Sequence, residues 1–176
     1  MLLLIDGSTI LFRSFHGLPT TMKSKSGEMI NATFGFANTI VNLIDLFQPT
    51  HIACAFDTAT KTFRHEQYTE YKANRTEPPE GLFEQLPRIL QFLAALQVPT
   101  IMLPGYEADD IIGTLSKEAN EKNLQNIIVS GDNDFVQLVS TYATFYCISR
   151  GINNAVEITP GNVLEKHGLK PEQRID

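Results

Sequence analysis

Residues 2–9 read LLLIDGST: a short aliphatic run, an aspartate, a glycine and two hydroxyl side chains. Consecutive aliphatic residues at Leu2–Ile5 suit a strand buried on both faces, as strands of parallel sheets are. The acid closes the run, and Ser8 or Thr9 is placed to cap a helix through Phe15. The same cadence returns along the chain. His51–Phe56 reads as a second strand and ends in Asp57. Val98–Leu103 reads as a third, followed by a Pro104-Gly105 turn and a helix over Glu107–Glu121 that carries Ile111, Ile112, Leu115 and Ala119 on one side. Ile127–Ser130 reads as a fourth, with Gly131–Asp134 turning into a short helix, Phe135–Val139. Short apolar runs alternating with amphipathic stretches imply an α/β fold, a mostly parallel sheet flanked by helices.

The intervening stretches fit that reading. Thr20–Glu28 is a polar loop, and Ala32–Leu46 is a helix with Phe34, Ala37, Val41 and Ile44 at helical spacing. Leu82–Leu96 is a helix that accommodates Pro87 in its first turn or at a kink. Thr144–Ile148 and Ala155–Ile158 are two further strands, and a last helix runs from Pro160 to Gly168. Thr58–Pro79 is the least regular part. It holds Lys61, Arg64, Lys72 and Arg75 interleaved with Phe63, Tyr68 and Tyr71, a composition that suits a groove for single-stranded nucleic acid or, more plainly, a solvated loop.

The acids are placed where ligands bind in such folds. Asp6, Asp57, the group Glu107, Asp109 and Asp110, and the pair Asp132 and Asp134 each follow a strand, and in an open α/β sheet the carboxyl ends of the strands share the ligand-binding edge. A single Asp at such a place can be a helix cap or a complement to the helix dipole. The run at 107–110 exceeds what one cap needs. Carboxylates packed together repel unless a cation joins them. An all-oxygen donor set selects a hard ion, Mg²⁺ or Mn²⁺, and two such ions about 4 Å apart are the recurrent device for phosphodiester hydrolysis.

Composition allows this. The chain has 176 residues, 43% hydrophobic and 19% charged, enough for one domain without disulfides or a structural metal. Cys54 and Cys147 lie in apolar runs and read as buried reduced thiols of a cytoplasmic protein. The opening MLLLI is too short for a signal-peptide core or a membrane span. The formal charge of −6 is unlike that of a nucleic-acid binder, but two divalent cations among the acids would bring it to −2.

LLLIDGS, LFRSFHGLP, AFD with KTFRHEQYTEYKANR, LPGYEADD and SGDNDFVQL, in this order and spacing, resemble the 5′-nuclease domain of bacterial DNA polymerases of the first type. The likeness runs from Leu2 to Asp176, and the YEADD and GDxD pair is its most specific part; flap endonucleases and phage 5′-exonucleases are more distant relatives. The resemblance implies a PIN-like fold with a helical arch and a two-metal site held by Asp6, Asp57, Glu107, Asp109, Asp110, Asp132 and Asp134. It implies that Lys72 and Arg75 belong to the arch and contact the scissile phosphate, catalytic alongside Asp6, Asp57, Asp109 and Asp110. It also implies that Arg13 and His16 lie near substrate, with Arg64, Tyr68 and Tyr71 joining them as DNA-binding residues. The partner implied is DNA with a 5′ single-stranded end or flap, in replication and repair, alongside a polymerase domain or chain.

Two departures stand out. Asn133 replaces the basic residue usual between the aspartates of GDxD. In the family, the chain continues past HGLKPEQRID into further metal-site aspartates and a helical DNA-binding motif, so residues 1–176 are expected to be the N-terminal catalytic part. An inactive nucleic-acid-binding fragment that needs that continuation is the alternative. A haloacid-dehalogenase-type phosphatase also begins with a strand and an Asp, but wants a second acid where Ser8 stands. A PIN-class ribonuclease would lack the basic segment.

Overall fold

The computed structural model describes residues 1–60, 62, 64, 68, 78–167 and 171–173. Its centre is β1 (Leu2–Asp6), flanked in the sheet order β3-β2-β1-β4-β5-β6 by β2 (His51–Ala55), β3 (Thr100–Ile101), β4 (Asn126–Ser130), β5 (Ala143–Cys147) and β6 (Val156–Ile158). All neighbours pair parallel except β5 and β6, which are antiparallel. The helices with described bounds are α1 (Gly7–Gly17), α2 (Asn31–Phe47), α3 (Leu86–Ala95), α4 (Ala108–Glu121) and α5 (Pro160–His167). Among the described residues no helix is long and apolar enough to cross a membrane.

Successive side chains of a strand point to opposite faces, and β1 uses both. Leu3 and Ile5 enter a core built from Ile10, Leu11 and Phe15 of α1, Phe36, Ile40 and Leu43 of α2, and Ile89 and Leu93 of α3. Leu4 enters a second core with Ile111 and Ile112 of α4, Phe135, Val136 and Phe145. The aliphatic run is thus the spine of a three-layer αβα arrangement. Cys54 and Cys147 are buried free thiols, as their apolar settings suggest.

The differences from the sequence reading have physical causes. In α2 the buried stripe is Ala32, Phe36, Ile40 and Leu43, whereas Phe34 and Val41 are exposed. This helix is apolar around most of its circumference, so its period is legible but its inward face is not. Strand β3 shrinks to two residues. Pro99 has no N–H to give a ladder, although its carbonyl still accepts from Cys54 N at 2.9 Å. The short helix expected over Phe135–Val139 is a 3₁₀ helix over Asn133–Leu138, starting two residues earlier. Pro87 does sit in the first turn of α3, where its missing N–H is harmless. Gly168 and most of Thr58–Pro79, including the expected arch with Lys61, Phe63, Tyr71, Lys72 and Arg75, lie outside the described residues.

The junction of β1 and α1 is a close approach. A Cβ at Gly7 would lie 2.5 Å from the Phe56 ring, and that ring is buried and stacked on Phe36 at 5.9 Å. Gly7→Ala is expected to destabilise the fold by about 1–3 kcal/mol through overpacking. Gly17→Ala, where an added Cβ meets nothing within 4 Å, serves as the control. Urea unfolding of the two variants checks this; equal midpoints would count against the close-packed junction.

Candidate metal centre at the carboxyl edge of the sheet

The chain winds outward from β1 to β2 and β3, then returns to the other side of β1 as β4. This reversal opens a crevice at the carboxyl ends of β1 and β4. Asp6 ends β1 beside it and is buried, 6% exposed. Asp6, rather than Ser8 or Thr9, caps α1. Its Oδ1 accepts from Thr9 N at 2.9 Å, and its Oδ2 accepts from Thr9 Oγ1 and Ser130 Oγ, both at 2.6 Å. Burial pushes the Asp6 carboxyl above its ordinary range; the hydrogen bonds from Ser130 and Thr9 oppose this, and the nearby charge of Asp57 adds to it.

Asp57 is tied to both sides of the crevice. Its backbone N donates to Ser8 Oγ at 2.9 Å, and its Oδ1 accepts from Ala108 N at 2.8 Å, at the start of α4. Glu107 is the N-cap of α4 in a capping box with Asp110: each side chain accepts from the other residue's backbone N–H. The expected helix therefore begins one residue later, with Glu107 as its cap. Glu107 is buried. Asp109 is exposed at the rim, and its Oδ1 accepts from Asp110 N at 2.7 Å. Partial desolvation on its protein side, with the charges of Asp110 and Glu107, lifts the Asp109 carboxyl to about 6.

Arg64 reaches into this group. Its Nη1 and Nη2 donate to Asp110 Oδ2 and Oδ1 at 2.8 and 2.7 Å, and Nη1 lies 3.8 Å from Glu107 Oε2. The hydrogen bonds with Asp110 drive the guanidinium further toward its charged form. Asp132 joins the edge through Ser130, whose Oγ accepts from Asp132 N at 3.1 Å while donating to Asp6. Asp132 in turn caps the 3₁₀ helix, Oδ1 accepting from Asp134 N at 3.1 Å. Asp132 and Asp134 are exposed.

The seven acids are therefore brought to one edge, but the expected convergence is looser than a coordination sphere. Among the described residues, no three carboxylates, imidazoles or thiols close on one point as a formed ligand set. Four of the acids are instead held by separate partners: hydroxyls at Asp6, amides at Asp57 and Asp109, and Arg64 at Asp110. The donors are nonetheless all hard oxygens, which fits a divalent cation of the Mg²⁺ or Mn²⁺ kind. The fifth parallel strand, β5, ends not in acid but in Ile148-Ser149-Arg150.

Around the crevice, Arg13 extends from α1 and its Nη1 donates to Ser149 O at 2.6 Å. Gly131 makes room for it: a Cβ there would lie 2.9 Å from Thr9 Cγ2 and 3.4 Å from Arg13 Cδ. His16 is exposed in the last turn of α1, its ring edge-on to Phe15. Tyr68 is exposed, and its N donates to Arg64 O at 2.8 Å. Tyr71, Lys72 and Arg75 lie outside the described residues. The supporting hydroxyls of Ser8, Thr9 and Ser130 escaped the sequence reading as site residues; their signal was adjacency to the acids in DGST and SGD.

The sign of one pH effect follows. Asp109 binds its proton more tightly in the folded chain, since its carboxyl moves from 3.8 to about 6. Its contribution to stability is full below 3.8 and is lost as the pH rises through about 6. In EDTA, wild-type thermal stability is expected to decline across that window relative to Asp109→Asn, which cannot titrate. Parallel profiles for the two proteins would contradict the crowding described here.

A family model described as the 5′-3′ exonuclease, N-terminal resolvase-like domain matches residues 1–168. DNA polymerase I of Mycobacterium bovis is 40% identical over 99% of this chain, and that of Bacillus subtilis is 41% identical over 99%. The chain spans about a fifth of the length of these relatives, 20% in each case. Among solved structures, the phage T5 D15 protein co-crystallised with metal ions superposes with a TM-score of 0.77 at 21% identity, covering 98% of this chain and 63% of that one. A T5 D15 flap endonuclease in a pseudo-enzyme-product complex with DNA and metal ions gives 0.69 at 21%, over 98% and 62%. These structural likenesses extend the fold, and the sequence matches settle the kinship: the chain belongs to the 5′-3′ exonuclease family, as its N-terminal resolvase-like domain.

Proposed function

We propose that residues 1–176 are the N-terminal catalytic part of a divalent-metal-dependent 5′-nuclease that hydrolyses phosphodiesters at DNA 5′ ends or flaps in replication and repair. The observation that carries this reading is the line of Asp6, Asp57 and Glu107–Asp110 along the carboxyl edge beside the sheet's reversal point, in a chain of the exonuclease family. Asp6, Asp57, Glu107, Asp109 and Asp110 would hold Mg²⁺ or Mn²⁺, with Asp132 and Asp134 extending the set toward a second ion. The ions supply positive charge to the phosphodiester and a nucleophile from water at neutral pH.

The remaining roles fall to side chains around the acids. Ser130, Thr9 and the amides of Ala108 and Asp110 keep the carboxylates oriented. Arg13, held by Ser149 O beside the space at Gly131, would take a phosphate. His16 and Tyr68, both exposed, would meet backbone and unpaired bases, and Lys72 and Arg75 would contact the scissile phosphate. Kinship with DNA polymerase I supports a polymerase domain or chain acting with this unit, and we assign it to the cytoplasm.

A second reading is favoured by one observation, that among the described residues the acids do not close on one point. On that reading the 176-residue chain binds DNA but does not cleave it without further residues.

The test is cleavage of a 5′-labelled flap substrate by the chain in Mg²⁺ and in Mn²⁺. Cutting near the branch is expected, abolished by EDTA and by Asp109→Asn combined with Asp110→Asn in a variant that keeps its circular dichroism spectrum. Cleavage unchanged in that variant would sink the assignment. Binding of flapped DNA in Ca²⁺ without cleavage in either metal would favour the second reading.

A further inference from the structure

Arg64 occupies the place where a divalent cation's charge is wanted. Its planar fork takes both oxygens of Asp110, and Glu107 stands 3.8 Å from the same guanidinium. Asp110 Oδ2 also accepts from Glu107 N at 3.0 Å, and Asp109 Oδ1 accepts from Asp110 N. The arginine does not come from the acid-bearing helix. It lies 46 residues away in sequence, in the segment after β2, and its backbone carbonyl holds Tyr68 N.

A carboxylate binds a bidentate guanidinium and a hard cation through the same lone pairs. Two cations on the same oxygens also repel each other. We infer that Arg64 is an internal counter-ion that competes with the divalent cation for Asp110, so that metal loading releases the guanidinium toward substrate phosphate. This rests on the metal-centre reading given under Proposed function. Linkage makes the coupling reciprocal: whatever the arginine costs the metal, the metal costs the arginine's hold on Asp110.

The opposite role is equally definite. An arginine that orients Asp110 as a ligand would strengthen metal binding, as outer partners of metal ligands do. The two roles differ in sign, so equilibrium binding separates them without reference to turnover. The probe is Mn²⁺ titrated into the EDTA-stripped chain, with free Mn²⁺ read by electron paramagnetic resonance, for wild type, Arg64→Gln, Arg64→Lys and the remote control Arg88→Gln.

Arg64→Gln is expected to bind Mn²⁺ on the order of tenfold more tightly, the scale on which one adjacent charge shifts a carboxylate. Arg64→Lys, which keeps the charge but loses the fork, should gain less, and Arg88→Gln should match wild type. Thermal melts confirm that each variant is folded. Unchanged or weaker Mn²⁺ affinity in folded Arg64→Gln, with wild type binding normally, would overturn the competition and leave the metal centre standing. No Mn²⁺ binding by wild type or variant would overturn the metal centre itself, and the competition with it.

Discussion

Mutual repulsion among carboxylates gathered at one sheet edge is the constraint on which this structure turns. Parallel strands bring their carboxyl ends together, and this chain places acids at or shortly after those of β1, β2, β3 and β4. Each acid therefore needs compensation. Asp6 accepts two short hydroxyl bonds, Asp57 takes an amide at the start of α4, Glu107 and Asp110 cap each other, and Arg64 grips Asp110. At Asp6 and Asp109 desolvation by burial, with a further push from neighbouring acids, still holds the carboxyls above the ordinary range. That residual tension marks a place prepared for positive charge.

The apolar architecture exists on the other side of this tension. A strand buried on both faces anchors Asp6 at a fixed height, and the register of β1 with β2 and β4 sets Asp6 level with Ala55 and one step beyond the Ile5–Val129 pair. Two glycines allow the backbone close enough for these contacts. Gly7 clears the Phe56 ring, and Gly131 clears Thr9 and Arg13. A Cβ at Gly7 would press on the core ring of Phe56, and one at Gly131 on Thr9, which holds Asp6.

A buried polar bracket performs a similar service away from the acids. Asn31 Nδ2 donates to Phe15 O and Leu18 O at the end of α1, and Gln85 Nε2 donates to Asn31 Oδ1. Gln85 Oε1 accepts from Thr33 N in the first turn of α2. The end of α1 and the start of α2 are thereby satisfied by two side chains, which fixes α1, and with it Arg13 and His16, relative to the segment leading into α3. Buried amides without partners would be costly, so this bracket is held as a unit.

Much of this was legible in the sequence. The run LLLI followed by an acid announces a doubly buried parallel strand because only both-face burial tolerates unbroken apolarity. The acids at 6, 57, 107–110 and 132–134 were identifiable because each follows a strand signal, and the YEADD and GDxD motifs carried the family. What the sequence left open has one physical reason: side-chain direction and partnership depend on what packs opposite. The period of α2 was visible, but not that Phe36 rather than Phe34 faces inward, since both lie on apolar arcs. Asp6 displaced the neighbouring hydroxyls as the cap of α1, and Ser130 became its partner across 124 residues of chain. Arg64 read as a basic residue for substrate, yet it turns onto Asp110, because opposite charges distant in sequence meet only when the sheet and α4 bring them within reach.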